Sequence, residues 1–232
     1  MPEVRSALLN CPPVARRAID LSLYLVTDEA LARGRSLERI VEAAIAGGVT
    51  AVQLREKTAG TAALVARGER LRAITAAASV ALIVNDRVDL ALAIDADGAH
   101  VGQRDLPASR AREALGAERV LGVTVGSASE AAAAREADAD YLGSTAVFAT
   151  RTKADAGEPI GLAGLAALVR ASGLPVVAIG GIDAQNARAV LETGVAGIAV
   201  VSAIVAADDP RDAARRLSEA VRRVRRAMGS HA

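Results

Sequence analysis

The chain has 232 residues, a formal net charge of +1 from 28 basic and 27 acidic side chains, and three aromatic residues. That balance gives no general attraction to nucleic acid or to an anionic membrane, and Tyr24, Tyr141 and Phe148 are too few for a base-stacking platform. The length suits a domain with a substantial core, and the apolar content comes mostly from Ala and Val, with no run of the ~18 residues that a transmembrane helix needs.

Residues 1–20 carry Pro2, Pro12 and Pro13 without a sustained period and read as an N-terminal extension. The lone cysteine, Cys11, lies there; it has no partner for an internal disulfide and fits a reducing cytosol. No continuous apolar stretch of a signal peptide is present, so a cytoplasmic protein is expected, with one catalytic domain over residues 21–232. From Leu21 a strand–helix alternation begins and does not stop. Strands are predicted over Leu21–Thr27, Thr50–Leu54, Ala81–Val84, Gly98–Val101, Val120–Val125, Tyr141–Gly143, Val176–Ile179 and Gly197–Val201. Helices are predicted over Ser36–Ala46, Thr61–Ala78, Val88–Ile94, Pro107–Leu115, Ser129–Ala137, Leu162–Ala171, Ala184–Glu192 and Pro210–Met228. Ser36 and Thr61 suit N-caps, Pro107 and Pro210 first turns, and Gly47, Gly116 and Gly194 C-terminal stops. Strands such as Val176–Ile179 are apolar throughout, as strands covered on both faces are. Eight such units predict an α/β fold, a single-domain (β/α)8 TIM barrel; a doubly wound sheet is the competitor, but usually has fewer strands. In either fold, ligands gather at the C-terminal ends of the strands.

The second strand ends in Gln53-Leu54-Arg55-Glu56-Lys57. Lys57 and Lys153 are the only lysines in a chain otherwise rich in Arg, which suggests positions that need a compact ammonium. With a period of 2, Gln53, Arg55 and Lys57 point one way and Val52 and Leu54 the other; a solvated strand end has the same composition. Asn85-Asp86 follows the third strand, and His100 to Asp105 end the fourth. Each aspartate suits a helix cap, but two carboxylates at neighbouring strand ends also suit Mg²⁺, completed by water and phosphate oxygens. His100 reads as packed core or as a ligand. Thr124 and Ser127, at the end of the fifth strand, suit either a phosphate or a helix cap. The polar segment Ala149–Pro159, with Thr150, Arg151, Thr152 and Lys153, reads as a lid or as a solvated connector. Gly180-Gly181 and Val201-Ser202 end the seventh and eighth strands, where backbone amides make a phosphate cup in barrels of this kind. The sum is two anion sites around one mouth, one for a diphosphate and one for a monophosphate. No Ser-His-Asp, Cys-His or metal-hydrolase spacing accompanies them.

These segments resemble the thiamine-phosphate synthase family. The matching pieces are Leu23 to Asp28, Gln53 to Lys57, Asn85-Asp86, Asp97 to Asp105, Thr150 to Lys153, Ala178 to Ile182 and Val201 to Ile204, in order through nearly the whole barrel. The resemblance implies a transferase that joins hydroxymethylpyrimidine diphosphate to hydroxyethylthiazole phosphate, giving thiamine phosphate and diphosphate by Mg-assisted dissociative loss of diphosphate. It implies Gln53, Leu54, Arg55, Glu56, Lys57, Asn85, Thr124 and Lys153 on the pyrimidine diphosphate, with Arg55, Lys57 and Lys153 catalytic. It implies Asp86 and Asp105 on Mg²⁺, and Thr150, Thr152, Gly181, Val201 and Ser202 on the thiazole phosphate. His100 falls on the pyrimidine side. One departure stands out: where the family usually reads Gly-x-Ser-x-His after the fifth strand, this chain has Gly122-Val123-Thr124-Val125-Gly126. A thiazole tautomerase on the same scaffold and a non-catalytic sensor of thiamine precursors are the competing readings. The Arg-rich final segment (Arg222, Arg223, Arg225, Arg226) reads as a solvated face or a subunit contact.

Overall fold

The structure, a computed structural model, describes residues 19–150, 152 and 158–229. Arg151, Lys153, most of the N-terminal extension and most of the expected lid therefore lie outside the described residues. Among the described residues eight parallel strands close into a barrel in chain order. They are β1 (Leu23–Val26), β2 (Ala51–Leu54), β3 (Ala81–Asn85), β4 (Gly98–Val101), β5 (Val120–Val125), β6 (Tyr141–Ala146), β7 (Val176–Ile179) and β8 (Gly197–Val200). Closure is made by β1 against β8, with Leu23 beside Ile198 and Leu25 beside Val200. The helices α1 (Glu29–Ala32), α2 (Leu37–Ala46), α3 (Thr61–Ala77), α4 (Val88–Ala93), α5 (Ala108–Leu115), α6 (Ala128–Glu136), α7 (Gly161–Ser172), α8 (Ala187–Leu191), α9 (Ser202–Val205) and α10 (Pro210–Gly229) ring it.

The alternation of strand side chains divides the core in two. Leu23, Leu25, Val52, Leu54, Leu82 and Val84 belong to the outer cluster, packed under the helices. Tyr24, Val26, Ala51, Ile83, Val120, Tyr141, Val177 and Ala199 fill the interior, with Leu21 and Ile19 closing the lower end. The strands read as continuous apolar runs because both faces are buried. At the lower end, carboxylates tie neighbouring strands together. Asp97 accepts from the Leu82 amide at 2.8 Å and Asp140 from the Leu121 amide at 2.7 Å.

The differences from expectation are local. Ser36 caps α2 by accepting from the Arg39 amide at 3.3 Å, as expected, but the cap of α3 is Gly60, with Thr61 the first helical residue. Pro107 occupies the cap position of α5 rather than its first turn. Helix α8 starts at Ala187, later than Ala184, because Asp183 accepts from the Gln185 and Asn186 amides at 2.8 and 3.2 Å and holds a turn there. Strand β6 continues three residues past Gly143, since the Ser144 hydroxyl accepts from the Ile179 amide at 3.2 Å and keeps the strand paired. Helices α1 and α9, four residues each, are too short to leave a period in the sequence.

Candidate active site

At the C-terminal end of the barrel a cavity of about 470 Å³ opens. Gln53, Arg55, Lys57, Asn85, Asp86, His100, Asp105, Thr124, Thr150, Thr152, Gly181, Val201 and Ser202 all line it. Leu54 and Glu56 do not, and the strand period is the reason. Odd positions of β2 and its extension face the cavity, whereas Leu54, 1% exposed, sits in the outer core. Glu56 turns into its own loop, accepting from the Thr58 amide and hydroxyl at 2.8 Å each and from Arg67 at 3.2 Å. Burial works against its charge, but hydrogen bonds from Thr58 and Ala59 outweigh burial and hold the carboxyl below its usual range. Glu56 thus shapes the loop that carries Lys57.

On the β2–β4 side the groups are charged and mutually paired. The Arg55 guanidinium lies 3.0 Å from the Asp28 carboxylate, and the Arg55 amide donates to the Thr27 hydroxyl at 3.0 Å. The Lys57 ammonium lies 2.5 Å from Asp86. Asp86 adopts φ +62°, a left-handed conformation that aspartate tolerates better than most residues. Its amide donates to the His100 carbonyl at 2.8 Å, and Asn85 donates to its carboxylate. Asp105 accepts from the Gly102 amide at 2.8 Å. Partial desolvation, together with a hydrogen bond shared with Asp86, pushes the Asp105 carboxyl above its usual range. Two carboxylates this close repel when both are ionised, and a bound cation relieves that repulsion.

On the β7–β8 side the site is built from backbone. Gly180 and Gly181 have φ of +101° and +65°. A Cβ at Gly181 would lie 2.8 Å from the Phe148 Cβ and 2.9 Å from the Ala149 carbonyl oxygen, so the turn admits no side chain. Asn186 pins it by donating to the Gly181 carbonyl at 2.8 Å. Ser202 opens α9 immediately after β8.

The floor between the two sides is a buried polar chain that sequence reasoning missed. Gln53 donates to the Tyr24 hydroxyl at 3.0 Å, the Tyr24 and Tyr141 hydroxyls lie 3.0 Å apart, Tyr141 meets His100 Nδ1 at 3.0 Å, and His100 Nε2 meets the Thr124 hydroxyl at 2.8 Å. Burial raises both tyrosines, so they stay neutral. Gly122 makes room for the chain, since a Cβ there would lie 2.2 Å from the Tyr141 ring and 2.4 Å from His100 Nδ1. That glycine, on the strand next to a lone histidine, was the available signal. Asp28, the partner of Arg55, was missed as well.

Residues 23–204, which include every described residue of this cavity, match the family model of thiamine monophosphate synthase. The chain belongs to that family. It is 54% identical over 199 residues to the thiamine-phosphate synthase of Chloroflexus aurantiacus, covering 86% of this chain and 92% of that protein. It is 52% identical over 203 residues to the thiamine-phosphate synthase of Archaeoglobus fulgidus, covering 88% and 94%. Among solved structures, the thiamine phosphate pyrophosphorylase from Pyrococcus furiosus superposes with a TM-score of 0.81 at 42% identity, over 88% of this chain and 97% of that one. Like these thiamine-phosphate synthases, the chain is an enzyme, a transferase. Among its described residues no helix is long and apolar enough to cross a membrane.

Proposed function

We propose that this thiamine monophosphate synthase family member condenses hydroxymethylpyrimidine diphosphate with hydroxyethylthiazole phosphate, releasing diphosphate and forming thiamine phosphate. The observation that carries this reading is the division of one cavity into a charged side, with Arg55, Lys57, Asp86 and Asp105, and a backbone side at Gly181 and Ser202. A diphosphate leaving group needs the first and a monophosphate anchor suits the second.

The reaction breaks the bond between the pyrimidine methylene carbon and the diphosphate oxygen, and the electron pair leaves with the diphosphate. The aminopyrimidine ring spreads the resulting positive charge, and the thiazole nitrogen lone pair then forms the new C–N bond. Arg55 and Lys57 offer preorganised positive charge where negative charge develops. Asp28 holds Arg55 in place beforehand, and Lys57 exchanges its contact with Asp86 for diphosphate oxygens. Gly181 and Ser202 fix the second substrate by its phosphate, so that the two reacting atoms meet without a further loss of freedom.

Asp86 and Asp105 fit Mg²⁺. They are an all-oxygen donor pair, and the raised Asp105 carboxyl marks a carboxylate contact that a cation would relieve. Among the described residues no third His, Cys, Asp or Glu joins them, which suits an ion that takes its other ligands from water and phosphate. When bound, Mg²⁺ would supply charge that stabilises the leaving diphosphate.

The tautomerase alternative needs a base beside the thiazole. Gly126 offers none, and both ring nitrogens of His100 are engaged by Tyr141 and Thr124. Purified protein given both substrates and Mg²⁺ should release diphosphate and thiamine phosphate in equal amounts. Thiazole isomerisation without diphosphate release would overturn the assignment.

A further inference from the structure

We infer that His100 is a positioning residue, held in one tautomer by a one-way hydrogen-bond chain so that the Thr124 hydroxyl proton is aimed into the cavity. The inference rests on the reading above, in which the groups lining the mouth meet phosphate oxygens.

The direction follows from the ends of the chain. The Gln53 amide nitrogen is only a donor, so the Tyr24 oxygen accepts there. Tyr24 is 2% exposed, and its other hydrogen-bond partner among the described residues is the Tyr141 hydroxyl, so Tyr24 donates to Tyr141. Tyr141, 1% exposed, has accepted that proton and donates its own to His100 Nδ1. A ring nitrogen that accepts carries no proton, and the neutral imidazole therefore holds its proton on Nε2. Nε2 lies 2.8 Å from the Thr124 oxygen, so Thr124 accepts from the ring. Its own proton points away from His100 and into the cavity that it lines. Ionised phosphate oxygens only accept, so a hydroxyl presented in this sense is ready to bind one without reorienting.

The reverse direction fails at the same place. If Thr124 donated to Nε2, His100 would donate to Tyr141 and Tyr141 to Tyr24. Tyr24 would then accept from both Gln53 and Tyr141, leaving its own proton buried without an acceptor, at the cost that any unsatisfied buried donor carries. The packing also fixes the geometry. Gly122 leaves room for the Tyr141 hydroxyl and His100, and a Cβ at Gly143 would lie 2.9 Å from His100 Cε1.

The chain contains two histidines, His100 and His231, so ¹⁵N-histidine labelling of the full protein, with His231→Gln for assignment, reads the tautomer directly. The expected spectrum at neutral pH shows His100 protonated on Nε2 and bare on Nδ1. A Nδ1–H tautomer or an imidazolium overturns the inference, whatever the protein turns over. Kinetics supply a second readout. Thr124→Val and Tyr141→Phe should each lower kcat about tenfold, with Thr124→Ser within about twofold of the parent because the hydroxyl is kept. In the Thr124→Val background Tyr141→Phe should cost nothing more, since the chain then ends in no hydroxyl. An equal loss in both backgrounds overturns the relay. Absence of any coupling activity in the parent protein would instead sink the functional reading and leave the tautomer measurement to decide the chain.

Discussion

On the proposed reading, the two sides of the cavity solve one problem, holding phosphate, by different means. Around β2–β4 the work falls to side chains: Arg55 against Asp28, Lys57 against Asp86, Asp86 beside Asp105. Around β7 and β8 it falls to backbone shape: a glycine pair with positive φ, pressed against Phe148 and Ala149. A charge can be removed from an exposed side chain without disturbing the fold. A turn that only glycine adopts cannot be altered without paying in both binding and stability.

Substitutions can sharpen or break that contrast. The largest effect is expected for Lys57→Met. Its side chain is 54% exposed, so the melting temperature should move by less than ~2 °C, while the rate of thiamine phosphate formation should fall on the order of a hundredfold or more. Parallel losses of melting temperature and rate would show that the charged side is structural after all.

Asp86→Asn comes next. Asparagine tolerates the left-handed backbone at this position, so folding should survive while activity at limiting Mg²⁺ drops by roughly tenfold or more and partly recovers in excess Mg²⁺. A variant that melts early yet turns over normally would remove Asp86 from the metal site.

Gly181→Ala should fail in both respects. A stability loss of ~1–3 kcal/mol, seen as a lowered melting temperature, is expected from the strained turn, together with a rise in KM for the thiazole phosphate of about tenfold. Unchanged stability with a raised KM would mean that the turn relaxes and that the two sides differ less than their geometry implies.

The smallest expected effect is one on stability without Mg²⁺, in Asp105→Asn. The folded-state pKa of Asp105 lies above its unfolded value, so the folded protein holds that proton more tightly. The resulting stabilisation is complete below the ordinary carboxylate range and is lost as pH rises through the raised folded value. At pH 7 the ionised group opposes the fold, and its neutral substitute should raise the melting temperature by about 1–2 °C without Mg²⁺, with little gain at pH 4. The same gain at both pH values would contradict the contact with Asp86.

The barrel was legible because parallel strands buried on both faces write themselves as short apolar runs, and glycines and caps mark the helices between them. The charged lining was legible because Lys57, Asp86 and Asp105 break those runs at strand ends. The family resemblance includes Leu54 and Glu56, whose side chains do not line the cavity, and the strand period alone already turns Leu54 away. The polar floor was hidden for a different reason. Tyr24, Gln53, His100, Thr124 and Tyr141 come from five strands, and each one alone looks like ordinary core or a strand end. What joins them is convergence inside a closed barrel, where Tyr141 of β6 meets Tyr24 of β1 and His100 of β4 across the interior, and a linear pattern does not display that.

The pairing of β1 with β8 has a consequence for how the chain is made. Leu23 to Leu25 find their partners in Ile198 to Val200, nearly the full length of the barrel later. During synthesis β1 therefore keeps one hydrogen-bonding edge open for on the order of 10 to 30 s at ordinary elongation rates, and an open edge is a template for pairing with another chain. That edge reads Leu-Tyr-Leu-Val, flanked on its C-terminal side by Asp28 and Glu29, and acidic neighbours of this kind discourage another nascent strand from docking. Asp28, which later holds Arg55, thus stands first beside an unfinished edge.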